Sequence, residues 1–123
     1  MKDYGKELVL DLHECYTDNF NRKGIRKYCK DLCERIKMQR EKLHFWDYTG
    51  YPEEYEKAPA HLKGTSAVQF IRTSNITIHT LDDLKRIYIN VFSCKQFDAQ
   101  VVIDCSLVYF GGKVMSAYEI GRK

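Results

Sequence analysis

The sequence lacks a hydrophobic run that could span a bilayer, and it lacks the apolar core of a signal peptide. Residues 1–6 are mostly polar, and the apolar stretch 8–12 is short, whereas a membrane-spanning helix needs about 20 apolar residues. We therefore expect a cytoplasmic protein with no membrane partner. Repeats and low-complexity segments are also missing, and a chain of 123 residues predicts a single domain over 1–123.

Several metal and nucleotide motifs are missing as well. The five cysteines make an odd count without a C-x-x-C pair, so neither a disulfide framework nor a zinc site is predicted. Cys29 and Cys33 are one helical turn apart, which favours side chains that face the core. The sequence has no phosphate loop, no dinucleotide fingerprint and no His-Glu-x-x-His motif. We expect no bound metal.

Charge of one sign is only slightly in excess, with 20 Lys and Arg against 17 Asp and Glu. The basic residues are densest in 22–42, where Asp31, Glu34 and Glu41 interrupt them. This mixture is typical of the solvated face of a helix and not of a nucleic-acid patch. We therefore expect no nucleic-acid partner. Hydrophobic residues at 44% and charged residues at 30% indicate a soluble globular domain.

The spacing of apolar residues predicts an α+β fold. Strands are predicted at 7–13, 43–46, 66–72, 75–80, 86–94 and 114–120, and helices at about 20–38 and 98–109. Residues 47–63 hold both prolines and many charges, which predicts a long loop. The order β-α-β-β-β-β-α-β indicates a two-layer α/β sandwich, with one mainly antiparallel sheet and two helices on one face.

Two helices cover only one face of such a sheet. The other face is predicted to be rich in Ile, Val, Phe and Tyr, with no helix left to cover it. An uncovered apolar face indicates a partner subunit. The economical arrangement is a homodimer that pairs sheet to sheet as αββα.

Four reactive side chains lie on or beside the consecutive strands: Ser66, Ser74, His79 and Cys94. Because a meander makes distant residues neighbours across strands, we expect Ser74, His79 and Cys94 to converge. Taken singly, each has a structural alternative. A strand histidine is usually satisfied by its surroundings, a cysteine at a strand end fills space, and a hairpin serine supports its turn.

The four residues lie in three short segments: GTSAV (64–68), TSNITIHT (73–80) and VFSC (91–94). These segments resemble the S-adenosylmethionine decarboxylase family in its short prokaryotic form. That family shows Gly-Val-Ser-Gly, then Glu-Ser-His-x-x-x-His-Thr-Trp-Pro-Glu, then Val-Phe-Thr-Cys, and the intervals match without a gap. The opening strand LVLDLHEC (8–15) is also similar to the first strand of the family.

The resemblance implies a pyruvoyl enzyme that cuts its own chain between Thr73 and Ser74. Ser74 would attack the main-chain carbonyl carbon of Thr73. The resulting ester would break by β-elimination, with His79 as the proton acceptor and Ser66 assisting by hydrogen bonding. The pyruvoyl group formed from Ser74 would hold the substrate as a Schiff base and act as an electron sink when carbon dioxide leaves. Cys94 would then return a proton to the carbanion.

The chain departs from the family pattern around the implied substrate pocket. Thr73 and Asn75 stand where the family has glutamate and histidine. Asp83 keeps the carboxylate that grips the ribose hydroxyls in the family, but it is one methylene shorter. The family's tryptophan is lost, and Phe45, Trp46 or Tyr48 would have to supply the ring that stacks on adenine.

Three functions remain open, and all involve a small-molecule substrate or a protein partner. The main one is a pyruvoyl-dependent S-adenosylmethionine decarboxylase proenzyme that makes the aminopropyl donor for spermidine synthesis. The second is a decarboxylase of a basic amino acid, ornithine or arginine, favoured by the loss of the tryptophan and the stacking ring. The third is an unprocessed, non-catalytic relative that acts as a binding or regulatory subunit.

Overall fold

The computed structural model describes residues 3–123, so Met1 and Lys2 of the polar start lie outside the described range. It confirms the predicted α+β class. Six strands form one sheet: β1 (Gly5–His13), β2 (Arg40–Trp46), β3 (Ser66–Ile71), β4 (Ser74–Leu81), β5 (Arg86–Ser93) and β6 (Lys113–Arg122). The helices are α1 (Arg22–Arg35), α2 (Pro52–Lys57) and α3 (Ala99–Phe110). The strand order is β2-β3-β4-β5-β1-β6, and neighbouring strands are antiparallel.

Segment 47–63 differs from the predicted loop because it contains α2. Pro52 opens this helix, at a position where its missing N–H is not needed. Glu53 and Glu54 lie in the first turn and Lys57 in the last, an arrangement that complements the helix dipole. No residue of α2 is buried. The fold therefore has a third helix, but its residues add nothing to the core.

Helices α1 and α3 pack on one face of the sheet, called here the helical face. Alternate residues of the central strands are buried beneath them, as the strand period of two requires: Leu8, Leu10 and Leu12 in β1, and Ile87, Ile89 and Val91 in β5. Between the two helices, the Tyr28 hydroxyl lies 2.7 Å from the Ser106 hydroxyl. This pair satisfies two buried polar groups that would otherwise destabilise the core.

The opposite face carries neither α1 nor α3 and is called the open face. Residues directly paired across strands share a face, so the register defines rows across it. One row contains Phe70, Asn75, Phe92, Glu7 and Ile120, and another contains Trp46, Ser66, His79, Tyr88 and Asp11. The open face is therefore more polar than predicted, with carboxylates and amides among its aromatic residues. Pairing of two such faces in a dimer stays a prediction.

Candidate active site

The peptide bond between Thr73 and Ser74 lies at the turn that joins β3 to β4. Ile71 pairs with Ser74, so Arg72 and Thr73 form a two-residue hairpin turn. Thr73 has a φ of 62°, which tight hairpins often require but which a β-branched residue rarely adopts. Such a conformation stores about 1–3 kcal/mol of strain. The strain is located at the carbonyl that the predicted cleavage would use.

Ser74 is buried on the helical face, with 8% of its surface exposed. Its Oγ donates a hydrogen bond to Ser93 Oγ at 2.7 Å, and Ser93 Oγ also accepts from the Lys95 N–H at 2.9 Å. The hydroxyl is thereby held in one position at the start of β4. The sequence carries no signal for Ser93, because only the register Ser74↔Ser93 brings the two serines together.

Cys94 lies beside the same turn. Its Sγ donates to Thr73 Oγ1 at 3.2 Å, and the Thr73 hydroxyl donates to the Arg72 carbonyl at 2.5 Å. The Tyr4 hydroxyl interacts with Cys94, and this hydrogen bond raises the pKa of Tyr4. The predicted proximity of Ser74 and Cys94 is therefore observed at the turn.

His79 does not join this cluster within one chain. It lies five residues after Ser74 on β4, which at the rise of a strand separates the two Cα atoms by about 16 Å. Because the interval is odd, the two side chains also point to opposite faces of the sheet. The expectation that His79 converges with Ser74 and Cys94 is wrong for a single chain.

On the open face, His79 has its own set of contacts. Its Nδ1 lies 2.7 Å from Ser66 Oγ, and the Tyr88 ring stacks on the imidazole with centroids 6.4 Å apart. Ser66 is the direct cross-strand neighbour of both His79 and Trp46. Ser66 and His79 are thus a hydrogen-bonded pair, as the assisting role requires, but they lie at the far end of β4.

Two of the aromatic candidates for stacking on adenine, Phe45 and Trp46, point to opposite faces. Trp46 is on the open face, with 62% of its surface exposed, next to Ser66. Phe45 is partly buried on the helical face, where the guanidinium groups of two arginines lie 5.6 Å from its ring centroid: Arg22 and Arg26. Of these two, Trp46 shares a face with His79.

Asp83 lies in the β4–β5 turn, where its carboxylate is 3.5 Å from Lys63 Nζ and half exposed. The neighbouring Asp82 accepts a hydrogen bond from the Tyr55 hydroxyl at 2.7 Å, which raises the pKa of Tyr55 to about 12. Asp82 and Tyr55 border a hollow of about 880 Å³ between the start of α1 and residues 47–56. Tyr55 belongs to the segment predicted as a loop, so its position was not foreseen.

All five cysteines are free. Burial raises the pKa of Cys29 to about 12 and that of Cys33 to about 11, so neither thiol is activated. Both are in the core, as predicted. Within residues 3–123, no three His, Cys, Asp or Glu side chains are grouped to hold a metal ion. In the same range, no helix is both long enough and apolar enough to cross a membrane.

Comparison with known families agrees with the observed fold. A family model described as S-adenosylmethionine decarboxylase matches residues 6–123. The chain belongs to the S-adenosylmethionine decarboxylase family. The crystal structure of the adenosylmethionine decarboxylase from Aquifex aeolicus VF5 matches with a TM-score of 0.76 at 16% identity, over 99% of this chain and 92% of that one. At this identity the likeness concerns the fold. A search among curated proteins found no match.

Proposed function

We propose that the protein is a pyruvoyl-dependent decarboxylase of S-adenosylmethionine that forms its own prosthetic group from Ser74. The observation that carries this proposal is the turn at 72–74. There a strained Thr73 carbonyl, a fixed Ser74 hydroxyl and the Cys94 thiol lie side by side. Membership of the decarboxylase family supports the substrate, and the product would serve as an aminopropyl donor in spermidine synthesis.

Processing uses the residues of the turn. Ser74 Oγ rotates away from Ser93 and attacks the Thr73 carbonyl carbon, which transfers the acyl group from nitrogen to oxygen. Breaking this peptide bond also releases the strain at Thr73. Elimination at residue 74 leaves Thr73 with a free carboxylate. Addition of water and loss of ammonia then leave a pyruvoyl group at the new terminus.

Cys94 supplies the proton that turnover requires. A pyruvoyl group provides an electron sink when carbon dioxide leaves the substrate. Cys94 directly follows Ser93, the strand partner of residue 74, so the thiol stays beside residue 74 after the cut, where a general acid must be.

The base for processing comes from a second copy of the chain in this proposal. His79 and Ser74 of one chain are about 16 Å apart, which is too far for proton transfer. His79, Ser66 and Trp46 all lie on the open face, which the homodimer would bury. A two-fold pairing of these faces that runs β4 antiparallel to its copy would bring the His79 end of one chain to the backbone of residue 74 in the other, where elimination removes the α-proton and not a proton of the buried hydroxyl. Since Nδ1 is bonded to Ser66, Nε2 is the nitrogen available to the partner.

Intact-mass measurement of the purified protein tests this function. We expect two fragments, separated between Thr73 and Ser74, in place of one species of 14.5 kDa. Release of carbon dioxide from S-adenosylmethionine should accompany the cut. The Ser74→Ala variant is the control and should stay intact. An unsubstituted chain that stays whole and releases no carbon dioxide would support the non-catalytic alternative instead.

A second candidate is the decarboxylation of ornithine or arginine. It is favoured by the position of Phe45 on the helical face and by the pairing of Asp83 with Lys63, because neither residue is free to hold adenosine on the open face. Comparing carbon dioxide release from the three substrates decides between the candidates. S-adenosylmethionine is expected to be the best of them.

A further inference from the structure

A second polar cluster lies on the open face, next to the candidate active site. It surrounds a hollow of about 490 Å³ lined by Glu7, Asn75, Thr77, Asn90, Phe92 and Arg122. That volume is within the range of ligand sites, about 300–1,000 Å³. Asn75 directly follows Ser74. Phe92 stacks on Tyr4 with centroids 6.5 Å apart. Through Asn75, the hollow therefore adjoins the proposed cleavage site.

The hollow is built around one fixed carboxylate. Glu7 Oε2 accepts a hydrogen bond from Asn90 Nδ2 at 2.8 Å, and Oε1 accepts one from Arg122 Nη1 at 2.6 Å. The guanidinium carbon of Arg122 also lies 5.8 Å from the ring centroid of Phe92. A positive group thus sits against a carboxylate and an aromatic ring, the two features with which proteins hold cations.

The two charged partners are not equally fixed. The Glu7 side chain is 19% exposed, whereas that of Arg122 is 50% exposed. Asn90 holds Glu7 from a second side, while Arg122 approaches from the edge strand β6. An ion pair with a half-exposed partner contributes little to stability. Another cation can therefore take the place of the guanidinium while Glu7 stays where it is.

The distance between Glu7 and the proposed cleavage site matches the length of a substrate that is anchored at residue 74. Asn75, Phe92 and Glu7 are direct neighbours across β4, β5 and β1. Strands are about 4.8 Å apart, so the Glu7 backbone lies about 10 Å across the sheet from that of Asn75. The Glu7 side chain covers part of this distance. The remaining distance can be spanned by the substrate, if it is an amino acid whose side chain carries a positive charge at its far end.

We propose that this hollow is the subsite for the positively charged group of the substrate, which is a sulfonium or a side-chain ammonium or guanidinium. Glu7 is the counter-ion, Phe92 offers its ring face, and Arg122 is a placeholder that the substrate displaces. The inference rests on the proposed function, because it requires the substrate to be anchored beside Ser74.

Binding to the uncut Ser74→Ala chain tests the subsite separately from processing and turnover. Calorimetric titrations use S-adenosylmethionine, arginine and ornithine, with S-adenosylhomocysteine as the nucleoside without a sulfonium. We expect at least one cationic compound to bind. Adding Glu7→Gln should weaken that binding at least tenfold, while the affinity for S-adenosylhomocysteine changes less than twofold. Adding Arg122→Met should strengthen the binding of the cation severalfold, because the placeholder is gone.

The matched control is Glu119→Gln in the same background. Glu119 is also a sheet carboxylate in an ion pair, with Lys6 at 2.9 Å, but it lies on the helical face, because its strand partner is Leu8. It should leave every affinity unchanged. Three results would overturn the subsite: an equal loss in Glu7→Gln for compounds with and without the additional positive charge, unchanged affinities, or no binding by any cationic compound. Failure of the proposed function would be detected by a different measurement, the intact mass of the unsubstituted chain.

Discussion

The two ends of β4 differ in what a single chain assembles there. At its start, Ser74, Ser93 and Cys94 surround a strained turn, so the proposed nucleophile and proton donor lie next to the bond that is proposed to be cut. At its other end, His79 and Ser66 form a hydrogen-bonded pair on the opposite face, with no scissile bond nearby. The Ser74 end thus has the bond proposed to be cut but no histidine, and the His79 end has the histidine but no such bond. The difference explains why the proposed site needs two copies of the chain.

Mixing two inactive variants gives the largest expected effect and tests this division directly. His79→Ala alone should cut at least a hundredfold more slowly, since general base catalysis contributes typically about 10²–10⁴-fold, and Ser74→Ala alone should not cut. In a co-expressed mixture, the His79→Ala chain keeps Ser74 and receives a histidine from its partner. We therefore expect cleavage of that chain to recover in mixed dimers, as measured by intact mass.

The co-expression experiment can also contradict the proposed exchange of His79 between chains. If His79 served Ser74 of its own chain, mixed dimers would cut no faster than His79→Ala alone. A size-exclusion profile of a monomer would contradict the dimer itself. Ser66→Ala is a useful companion, because it loses the contact to Nδ1 and should slow cleavage less than removal of the imidazole.

Substituting Cys94 separates processing from turnover at the Ser74 end. Cys94→Ala should still cut, because the attacking oxygen belongs to Ser74, whereas carbon dioxide release should fall about 10²–10⁴-fold through loss of the general acid. Cys105→Ala is the matched control. That cysteine is buried in α3, so its loss affects packing and leaves turnover per folded molecule unchanged. Normal turnover by Cys94→Ala would remove this thiol from the mechanism.

Part of this comparison could be predicted from sequence. Alternating apolar residues located β4 at 75–80, against the observed Ser74–Leu81. The interval from Ser74 to His79 already contained the signal that the two side chains point to opposite faces. The expected end of α1 at about 38 was too late, because Lys37 adopts a φ of 58° and turns the chain although Met38 continues the apolar spacing.

Other features had no local signal. Helix α2 buries no residue, so no apolar period indicates it. The contact between Ser74 and Ser93 depends on the register of β4 against β5, which the packing of the whole sheet determines. The pairing of Glu7 with Arg122 joins β1 to β6, at opposite ends of the sequence. Its place beside the cleavage site appears only in the folded chain.

A smaller effect should follow from relaxing the strained turn. Glycine adopts a positive φ without a steric cost, so Thr73→Gly should release strain of about 1–3 kcal/mol. Cleavage should then slow roughly tenfold, the effect of about 1.4 kcal/mol on a rate. Thr73→Ser is the control, because it keeps the hydroxyl that contacts Cys94 and loses only the β-branch. The rate of the first cut, measured by intact mass, should fall in the order Thr, Ser, Gly. Equal rates would show that backbone strain does not drive the reaction.

The smallest expected effect concerns stability at the His79 end. Arg22 donates to both carboxylate oxygens of Asp47, at 2.6 and 2.8 Å, and lowers the pKa of Asp47 to about 2. The unfolded value is about 3.9, so the folded state is favoured above that pH, and the advantage is lost as pH falls toward 2. Asp47→Asn should therefore lower the free energy of unfolding by about 1 kcal/mol at pH 7 and by much less at pH 2.5, as measured by urea denaturation. Because Asp47 lies far from the turn at Thr73, the rate of cleavage per folded molecule should not change. A slower cleavage would mean that the two ends of β4 are coupled through the sheet.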